Sequence, residues 1–395
     1  MAVAPQIIKD DVRETQSVVS SWREQIPAVG LREYWYPALL ARKVGKRRPV
    51  GLRILGEDIV FFRDRKGDVV GLQDLCAHRG SKISRGACHF PGTVTCAYHG
   101  WTYDAEGRCV AAFVEGPESH IPNTNVRIPA KKVRELGGIV WIWMGDGEPV
   151  PLEEDVPEEF LAPDTKIFTH VRLWPINWRP LIENAIDGHA PYVHRNSILG
   201  MLYGVGVLGQ KLTLTTTRGG KGLSLLKGPF PPYQQDYPGL GRFPKHYRRR
   251  YWIRLLYLAR WRKLSPSGMY TQEIVLPGIA RITYPKHMYI RWGVPVDEIS
   301  VRNFYWHAVR GSKLQRLWFA LCYHLFRRWA MNLNFSEQDR RIIETQDYTA
   351  AEKLSWTDAV VIHWRRLVLQ GYHVERGERT RRPAKEKEQR LRDHV

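Results

Sequence analysis

The sequence predicts an α+β protein in which a small all-β module precedes a larger module of strands and helices. Three observations support this. The 395 residues exceed what one hydrophobic core usually serves, so two domains are expected. Short β-type runs broken by turn residues fill residues 35–144, whereas long helical patterns dominate the end of the chain. The proline- and acid-rich segment Pro149–Thr165 separates the two regions.

The predicted domains follow one another along the chain. Residues 1–34 are predicted to be a helical segment that packs on the second domain, and residues 35–150 form the first domain. Residues 151–375 form the second domain. Residues 376–395 are charged and nearly free of large apolar side chains, which predicts a disordered tail. The strands of the first domain are predicted in four runs: GLRILGEDIVFFRD, GDVVGLQDL, TVTCAYHGWTYD and GGIVWIWMGDG.

The second domain begins with a predicted strand, FTHVRLWPINW, and continues with a predicted helix, RPLIENAIDGHAPYVH. Four further strands are predicted: QKLTLTTTR, TQEIVLPGIARITYP, MYIRWGVPVD and VRNFYWHAV. Two long helical patterns then follow, KLQRLWFALCYHLFRRWAM and SEQDRRIIETQDYTA.

Charge and cysteine content limit the classes of partner and compartment. Lysine and arginine total 60 against 40 acidic residues, a net charge of +20 that favours an acidic protein, a nucleic acid or an anionic membrane as partner. The basic aromatic stretch YRRRYWIR could stack bases, but no nucleic-acid fold motif accompanies it. The 5 cysteines and the absence of a secretory-type N-terminus predict a reducing cytoplasm. No apolar run is long enough for a transmembrane helix.

Two cysteines and two histidines form the strongest motif, Cys76-Ala-His78 and Cys96-Ala-Tyr-His99, each half expected at the tip of a β-hairpin. This donor set suits tetrahedral zinc or a [2Fe-2S] cluster with cysteines on one iron and histidines on the other. Each loop supplies one cysteine and one histidine, which favours the cluster over zinc. Gly80 and Gly100 would let each loop curl toward the cluster sulfurs.

A second candidate site lies on the predicted helix after Trp178. That segment carries acidic, amide and imidazole groups at five positions: Glu183, Asn184, Asp187, His189 and His194. Non-heme ferrous oxygenases bind iron through two histidines and one carboxylate. We expect Asp339 to supply the carboxylate because it shares a helix face with Ile343, and Glu337 and Asp347 are the alternatives.

The chain resembles the α (oxygenase) component of Rieske non-heme iron ring-hydroxylating oxygenases from Tyr34 to about Glu375. It looks most like the homo-oligomeric group around carbazole dioxygenase, vanillate demethylase and ketosteroid hydroxylase. The resemblance is carried by the HRG and YHGW loops, by NW followed by EN-x-x-D, and by the Glu-Gln-Asp segment near the end.

This resemblance implies an all-β, sandwich-like Rieske domain and a helix-grip (START-like) catalytic domain with an antiparallel sheet and helices. It implies a [2Fe-2S] cluster on Cys76, His78, Cys96 and His99, and a mononuclear Fe(II) on His189, His194 and Asp339. It also implies that Asp187 bridges to a neighbouring subunit's cluster in a head-to-tail homotrimer. Because the spacing from Asp187 to His189 is one residue shorter than usual, Asn184 or Glu183 could share this catalytic role. The implied partners are a ferredoxin or ferredoxin reductase, O2 and a hydrophobic small molecule.

Two departures from familiar patterns bear on these expectations. The family usually has Asp-x-x-His, whereas this chain has Asp187-Gly-His189, with Ala190 where the first histidine commonly stands. Ser81 and Tyr98 replace the paired cysteines of respiratory Rieske proteins, and Trp101 replaces a hydroxyl donor. Fewer hydrogen bonds to the cluster predict a low reduction potential.

The sequence therefore predicts a terminal oxygenase that hydroxylates a hydrophobic aromatic or polycyclic substrate. The alternative is a Rieske electron-transfer protein whose second domain is not catalytic, and the iron content per chain separates the two. The stretches YRRRYWIRLLYLARWRK and LWFALCYHLFRRWAM have three interpretations: a substrate-entrance or core helix, a peripheral membrane contact, or a ferredoxin contact.

Overall fold

The computed structural model describes residues 22–186, 193–194, 197–198, 212–217, 222–227, 236–242, 271–284, 287–355 and 358–375. These residues form two compact units. One comprises Val29–Pro163 and Val294–Ser300, and the other comprises the remaining described residues. Within the described residues, no helix combines the length and the apolar character needed to cross a bilayer.

The first unit contains ten strands in three small sheets. Its strands are β1 (Trp35–Leu40), β2 (Val50–Ile54), β3 (Glu57–Arg63), β4 (Val69–Gln73), β5 (Val94–Thr95), β6 (Trp101–Tyr103), β7 (Cys109–Ala112), β8 (Ala130–Lys131), β9 (Val133–Leu136) and β10 (Ile139–Trp143). The sheets have the orders β1-β10-β9, β2-β3-β4-β8 and β5-β6-β7. A short helix, α1 (Leu152–Asp155), follows them.

The predicted run GLRILGEDIVFFRD forms two strands rather than one. Leu55 and Gly56 both have positive φ angles, 48° and 80°, and connect β2 to β3 in a tight antiparallel hairpin. Such two-residue turns match the twist of the flanking strands. The apolar side chains of β3 are buried, and Val60 and Phe62 pack in the core that surrounds Cys76 and Cys96.

The second unit contains a seven-stranded sheet with the order β11-β19-β18-β17-β16-β13-β12. Its strands are β11 (Thr165–Trp174), β12 (Leu212–Thr217), β13 (Gly222–Lys227), β16 (Thr271–Val275), β17 (Ile279–Tyr284), β18 (His287–Pro295) and β19 (Val301–Arg310), and β14 (Asp236–Tyr237) pairs separately with β15 (Gly241–Arg242). Its described residues include the helices α2 (Trp178–Ile186), α3 (Lys313–Cys322), α4 (Ser336–Ile343) and α5 (Ala359–Glu375). Two π-helical segments, Tyr323–Arg327 and Ala330–Phe335, lie between α3 and α4.

This architecture confirms the predicted fold class, an all-β domain and an α+β domain built on an antiparallel sheet. The ends of the chain, residues 1–21 and 376–395, lie outside the described residues, so the predicted N-terminal helix and disordered tail stay predictions.

Candidate iron-binding sites

The two Cys/His loops have the same backbone hydrogen bonds although their ligand spacings differ. The amide of Cys76 donates to the carbonyl of Ser81 at 2.8 Å, and that of Cys96 donates to Trp101 at 2.8 Å. The amides of Gly80 and Gly100 donate back to the two cysteine carbonyls at 2.9 and 3.2 Å. The loops therefore form a matched pair that presents two thiols and two imidazoles.

Glycine is required where each loop turns back. Gly80 and Gly100 have φ angles of 73° and 67°, a conformation that is strained for residues with a side chain. A Cβ atom on Gly100 would lie 2.8 Å from the Cβ of Phe113. The second loop thus depends on glycine for both its turn and its packing.

The thiols are buried and the imidazoles face outward. Cys76 and Cys96 are 3% and 2% exposed, whereas His78 is exposed and His99 is partly exposed. The two imidazole rings contact each other edge to face, with centroids 4.6 Å apart. Burial, and then the adjacent Cys76, raise the pKa of the Cys96 thiol, so the sulfur of Cys96 needs a cation to be stable as a thiolate.

Two side chains of β6 lie beside the first loop, a placement that the sequence analysis did not predict. The Tyr103 hydroxyl lies 3.1 Å from Sγ of Cys76 and accepts the Ala77 amide at 3.0 Å, while the Trp101 ring stacks on His78 at 4.6 Å. Trp101 and Tyr103 are two residues apart on one strand, so the two-residue period of a strand was the signal that places both toward the first loop. The first loop follows β4, which pairs with β3 and β8 rather than with a strand that directly follows the loop. The predicted hairpin is therefore found only for the second loop, between β5 and β6.

The second candidate site brings His194 to Asp339. Nε2 of His194 lies 2.9 Å from Oδ1 of Asp339, and the two residues are 1% and 3% exposed. The ring of Phe335 stacks on His194 at a centroid distance of 3.5 Å. Arg291 Nη1 lies 3.8 Å from the other carboxylate oxygen. An imidazole and a carboxylate buried together are a donor set that suits ferrous iron.

The other acidic candidates are engaged elsewhere. Glu337 forms ion pairs with Arg172 and Arg340, which lower its pKa, and Asp347 is exposed and caps Thr349. Asp339 is the carboxylate found beside His194, so the geometry favours Asp339 over both. Asp187 and His189 lie outside the described residues, and their assigned roles stay predictions.

Glu183 and Asn184 have different surroundings at the end of α2. Arg365 donates to both oxygens of Glu183, at 2.7 and 3.1 Å, and the Tyr348 hydroxyl donates at 3.2 Å. Glu183 is therefore a structural partner of Arg365. Asn184 accepts a hydrogen bond from Arg291 at 3.4 Å, which links it to the arginine beside Asp339.

Among the described residues, no three His, Cys, Asp or Glu side chains converge as a ready single-ion site. A [2Fe-2S] cluster explains this for the first site because it distributes four ligands over two irons. At the second site, His189 is not among the residues described. The donor sets present therefore fit a Rieske cluster and a mononuclear iron.

Comparison with known proteins agrees with this geometry. Residues 34–122 match the Rieske [2Fe-2S] domain family, and residues 143–209 match the homotrimeric ring hydroxylase family. The chain thus carries a Rieske domain followed by a segment similar to a ring-hydroxylase α-subunit domain.

Its relatives include terminal oxygenases. The chain is 38% identical over 180 residues to the terminal oxygenase component of carbazole 1,9a-dioxygenase from Sphingomonas sp, covering 45% of this chain and 47% of the relative. It is 30% identical over 282 residues to a tert-butanol monooxygenase / tert-amyl alcohol desaturase oxygenase subunit from Aquincola tertiaricarbonis, covering 70% and 56%. The chain spans about half the length of the curated relatives it matches.

The fold is also that of a solved relative. The terminal oxygenase of carbazole 1,9a-dioxygenase from Novosphingobium sp. KA1 superposes with a TM-score of 0.71 at 26% identity, covering 91% of this chain and 96% of that one.

Proposed function

We propose that this protein is the terminal oxygenase component of a Rieske oxygenase system that hydroxylates a hydrophobic aromatic or polycyclic substrate. The buried pair of His194 and Asp339 carries the proposal, because a Rieske electron carrier has no need of a second donor set. The relatives named as dioxygenases and monooxygenases support it.

Cys76, His78, Cys96 and His99 would hold the [2Fe-2S] cluster, and His189, His194 and Asp339 would hold Fe(II). When bound, the cluster would supply stored electrons and the mononuclear Fe(II) would supply O2 activation. The chain's own residues give each group its surroundings. The outward-facing imidazoles of His78 and His99 leave an accessible edge for an electron donor, and Phe335 covers one face of His194 and helps exclude water.

A ferredoxin, alone or with its reductase, is the proposed electron donor. The net charge of +20 favours an acidic partner, and structurally similar carbazole dioxygenase oxygenases have been solved in complex with a ferredoxin. The match to a family of homotrimeric ring hydroxylases supports a trimer. No disulfide joins the five cysteines, all of which lie among the described residues, and this supports a cytoplasmic location.

Iron content, the signal of the reduced cluster and O2 consumption together test the proposed oxygenase function. Protein loaded anaerobically with iron and sulfide should contain a third iron beyond the cluster, show a rhombic signal when reduced, and consume O2 with an aromatic substrate when ferredoxin is supplied. Two irons per chain with a normal cluster signal would instead identify an electron carrier.

We also propose that α3 contacts an anionic membrane surface. Four apolar side chains with helical spacing form an exposed face that we call the α3 apolar face: Leu314, Leu317, Trp318 and Leu321, which are 78%, 68%, 65% and 50% exposed. Lys313 and Arg328 lie on the exposed surface of the same helical region. An apolar face flanked by cations suits the headgroup region of anionic lipids.

Vesicle flotation tests this contact. The protein should float with phosphatidylserine-containing vesicles, and the double variant Leu317→Ser/Trp318→Ser should float less. If the unchanged protein does not float, the membrane is excluded as the partner of the α3 apolar face. If the protein is a trimer and the double variant is monomeric, the partner of this face is another copy of the chain.

A further inference from the structure

The sheet face beneath α3 is polar at positions where a buried sheet face is usually apolar. Alternate residues of β18 and β19 share this face, which we call the polar sheet face: His287, Tyr289 and Arg291 on β18, and Asn303, Tyr305 and His307 on β19. The alternate face of the same strands carries Ile290, Trp292, Phe304 and Trp306. Ring contacts place α3 and the first π-helical segment over the polar face, because Phe319 lies 5.5 Å from His287 and Tyr323 lies 5.2 Å from His307.

The helical region that covers this face is polar there too. Asn332, Ser336 and Asp339 are 0%, 1% and 3% exposed and lie on its buried side. Asn332 belongs to the second π-helical segment and Tyr323 to the first. Short π-helical segments occur frequently at functional sites. Two polar surfaces thus meet in the interior, although an apolar contact would be more stable.

A buried pair of His307 and Asn332 has unused hydrogen-bonding capacity. Nε2 of His307 lies 3.1 Å from Oδ1 of Asn332, and both residues are 0% exposed. Within the described part of the chain, Nδ1 of His307 has no hydrogen-bond partner. The Tyr323 hydroxyl and the Asn332 amide lie beside each other, but at a geometry short of a full hydrogen bond.

The orientation of the Asn332 side-chain amide does not change which hydrogen-bonding groups the pair of His307 and Asn332 offers. If Nε2 of His307 donates to Oδ1 of Asn332, then His307 keeps an acceptor and Asn332 keeps donors. If the amide is rotated, Asn332 donates to His307, so His307 keeps a donor and Asn332 keeps an acceptor. In either case the pair offers both a donor and an acceptor to a third group.

The pair is also uncharged at neutral pH. Burial lowers the pKa of His307 to about 4, and burial likewise lowers that of His170 on β11 to about 4. Arg327 contributes to the shift at His307. The pair is therefore suited to hydrogen bonding with a neutral group rather than to pairing with a carboxylate.

The pair lies within a substrate's length of the proposed iron. Asn332 and Asp339 are seven positions apart and both are buried, which corresponds to about 10 Å if each residue rises by 1.5 Å. Tyr289 lies on the same sheet face, with its ring centroid 5.1 Å from that of His307. A polar group held at the pair would place the far end of a two- or three-ring molecule near Asp339.

We infer that the buried pair of His307 and Asn332, with the Tyr323 hydroxyl beside it, binds a hydroxyl-type group of the substrate, at the end remote from the carbon that is oxidised. This inference rests on the proposed oxygenase function and narrows its substrate class. The substrate class is polycyclic, neutral and hydroxylated, rather than an unsubstituted hydrocarbon.

A matched ligand pair tests the inference by binding alone. Fluorene and 2-hydroxyfluorene differ only in the hydroxyl, and their affinities for the anaerobic holoprotein can be measured by calorimetry. We expect the hydroxylated compound to bind about tenfold tighter, because the pair gains a partner in only one complex. Asn332→Leu keeps the side-chain volume similar but removes the amide, so the two compounds should bind with about equal affinity. Asn123→Leu, on the exposed surface of the Rieske unit, should keep the full preference.

The outcomes separate this inference from the proposed function. Equal affinities for the two compounds in the unchanged protein, or no binding of 2-hydroxyfluorene, would overturn the inference. This result needs only the unchanged protein, so it holds even if Asn332→Leu fails to fold. A His194→Ala variant should bind no mononuclear iron yet keep the ligand preference. Preference without oxidation in the unchanged protein would reject the oxygenase and leave the subsite standing.

Discussion

The hydroxyl of Tyr103 lies 3.1 Å from Sγ of Cys76 while it accepts the amide of Ala77. Because its lone pairs serve that amide, the hydroxyl hydrogen is free to point at the sulfur. Burial, and then the contact with Cys76, raise the pKa of Tyr103, so the hydroxyl keeps its proton. A donor to a ligand sulfur stabilises the more negative, reduced cluster.

Tyr103→Phe should therefore lower the reduction potential of the cluster. One hydrogen bond of about 1 kcal/mol corresponds to about 45 mV for a one-electron couple. The measurement is a redox titration followed by the cluster's electron paramagnetic resonance signal. Tyr98→Phe is the control, since Tyr98 is 58% exposed, and its potential should not change. An unaltered potential in Tyr103→Phe would show that this hydrogen bond does not tune the cluster.

Asp339→Asn should remove the mononuclear iron and leave the cluster intact. The change removes the charge of a carboxylate that lies 2.9 Å from His194 while keeping its size. Iron analysis should show the loss of one iron per chain, with an unchanged cluster spectrum and turnover reduced at least a hundredfold, as loss of an essential metal implies. Glu337→Gln, in the same helix, should retain the iron because Glu337 pairs with Arg172 and Arg340. If both variants keep full iron, the ligand assignment is wrong.

Asp187→Ala should keep both iron centres but stop turnover. The predicted role of Asp187 is to join the ligands of the two centres across a subunit interface, so its loss should slow internal electron transfer rather than metal binding. Stopped-flow reoxidation of the reduced protein by O2 measures that step. Normal reoxidation and normal turnover would exclude the bridge and direct attention to Asn184, which contacts Arg291.

Stability should fall as the pH falls from about 6.5 toward 4, in part through His307. Its pKa is about 4 in the folded protein because of burial and 6.5 when unconstrained, so the unfolded chain binds the extra proton in this window. At about pH 5 this single group should cost about 2 kcal/mol. Urea unfolding at pH 7 and 5 measures the difference.

His307→Phe should reduce that pH dependence, whereas His120→Phe, at an exposed position, should leave it unchanged. Equal pH dependence in all three proteins would mean that His307 titrates normally and is reached by water.

Local patterns in the chain were enough to predict an all-β region before an α+β region, and a buried position for Asp339, whereas the iron ligands themselves stay predictions. Strand alternation and the Cys/His spacing depend on neighbours in sequence, and a buried carboxylate beside Ile343 follows from helical period. The hairpin at Leu55 was not predicted because a leucine at positive φ is rare, and its conformation is imposed by the pairing of β2 with β3.

Contacts between distant segments could only come from the tertiary structure. Glu183 and Arg365 are far apart in the chain, as are His307 and Asn332, and no period connects them. Packing of helices on the sheet decided that Glu183 is neutralised by an arginine and that His307 meets an amide. The sequence by itself determined which groups are present for iron chemistry. The folded interior determined which of them meet, because burial removes water and leaves each polar atom dependent on the partner that packing brings to it.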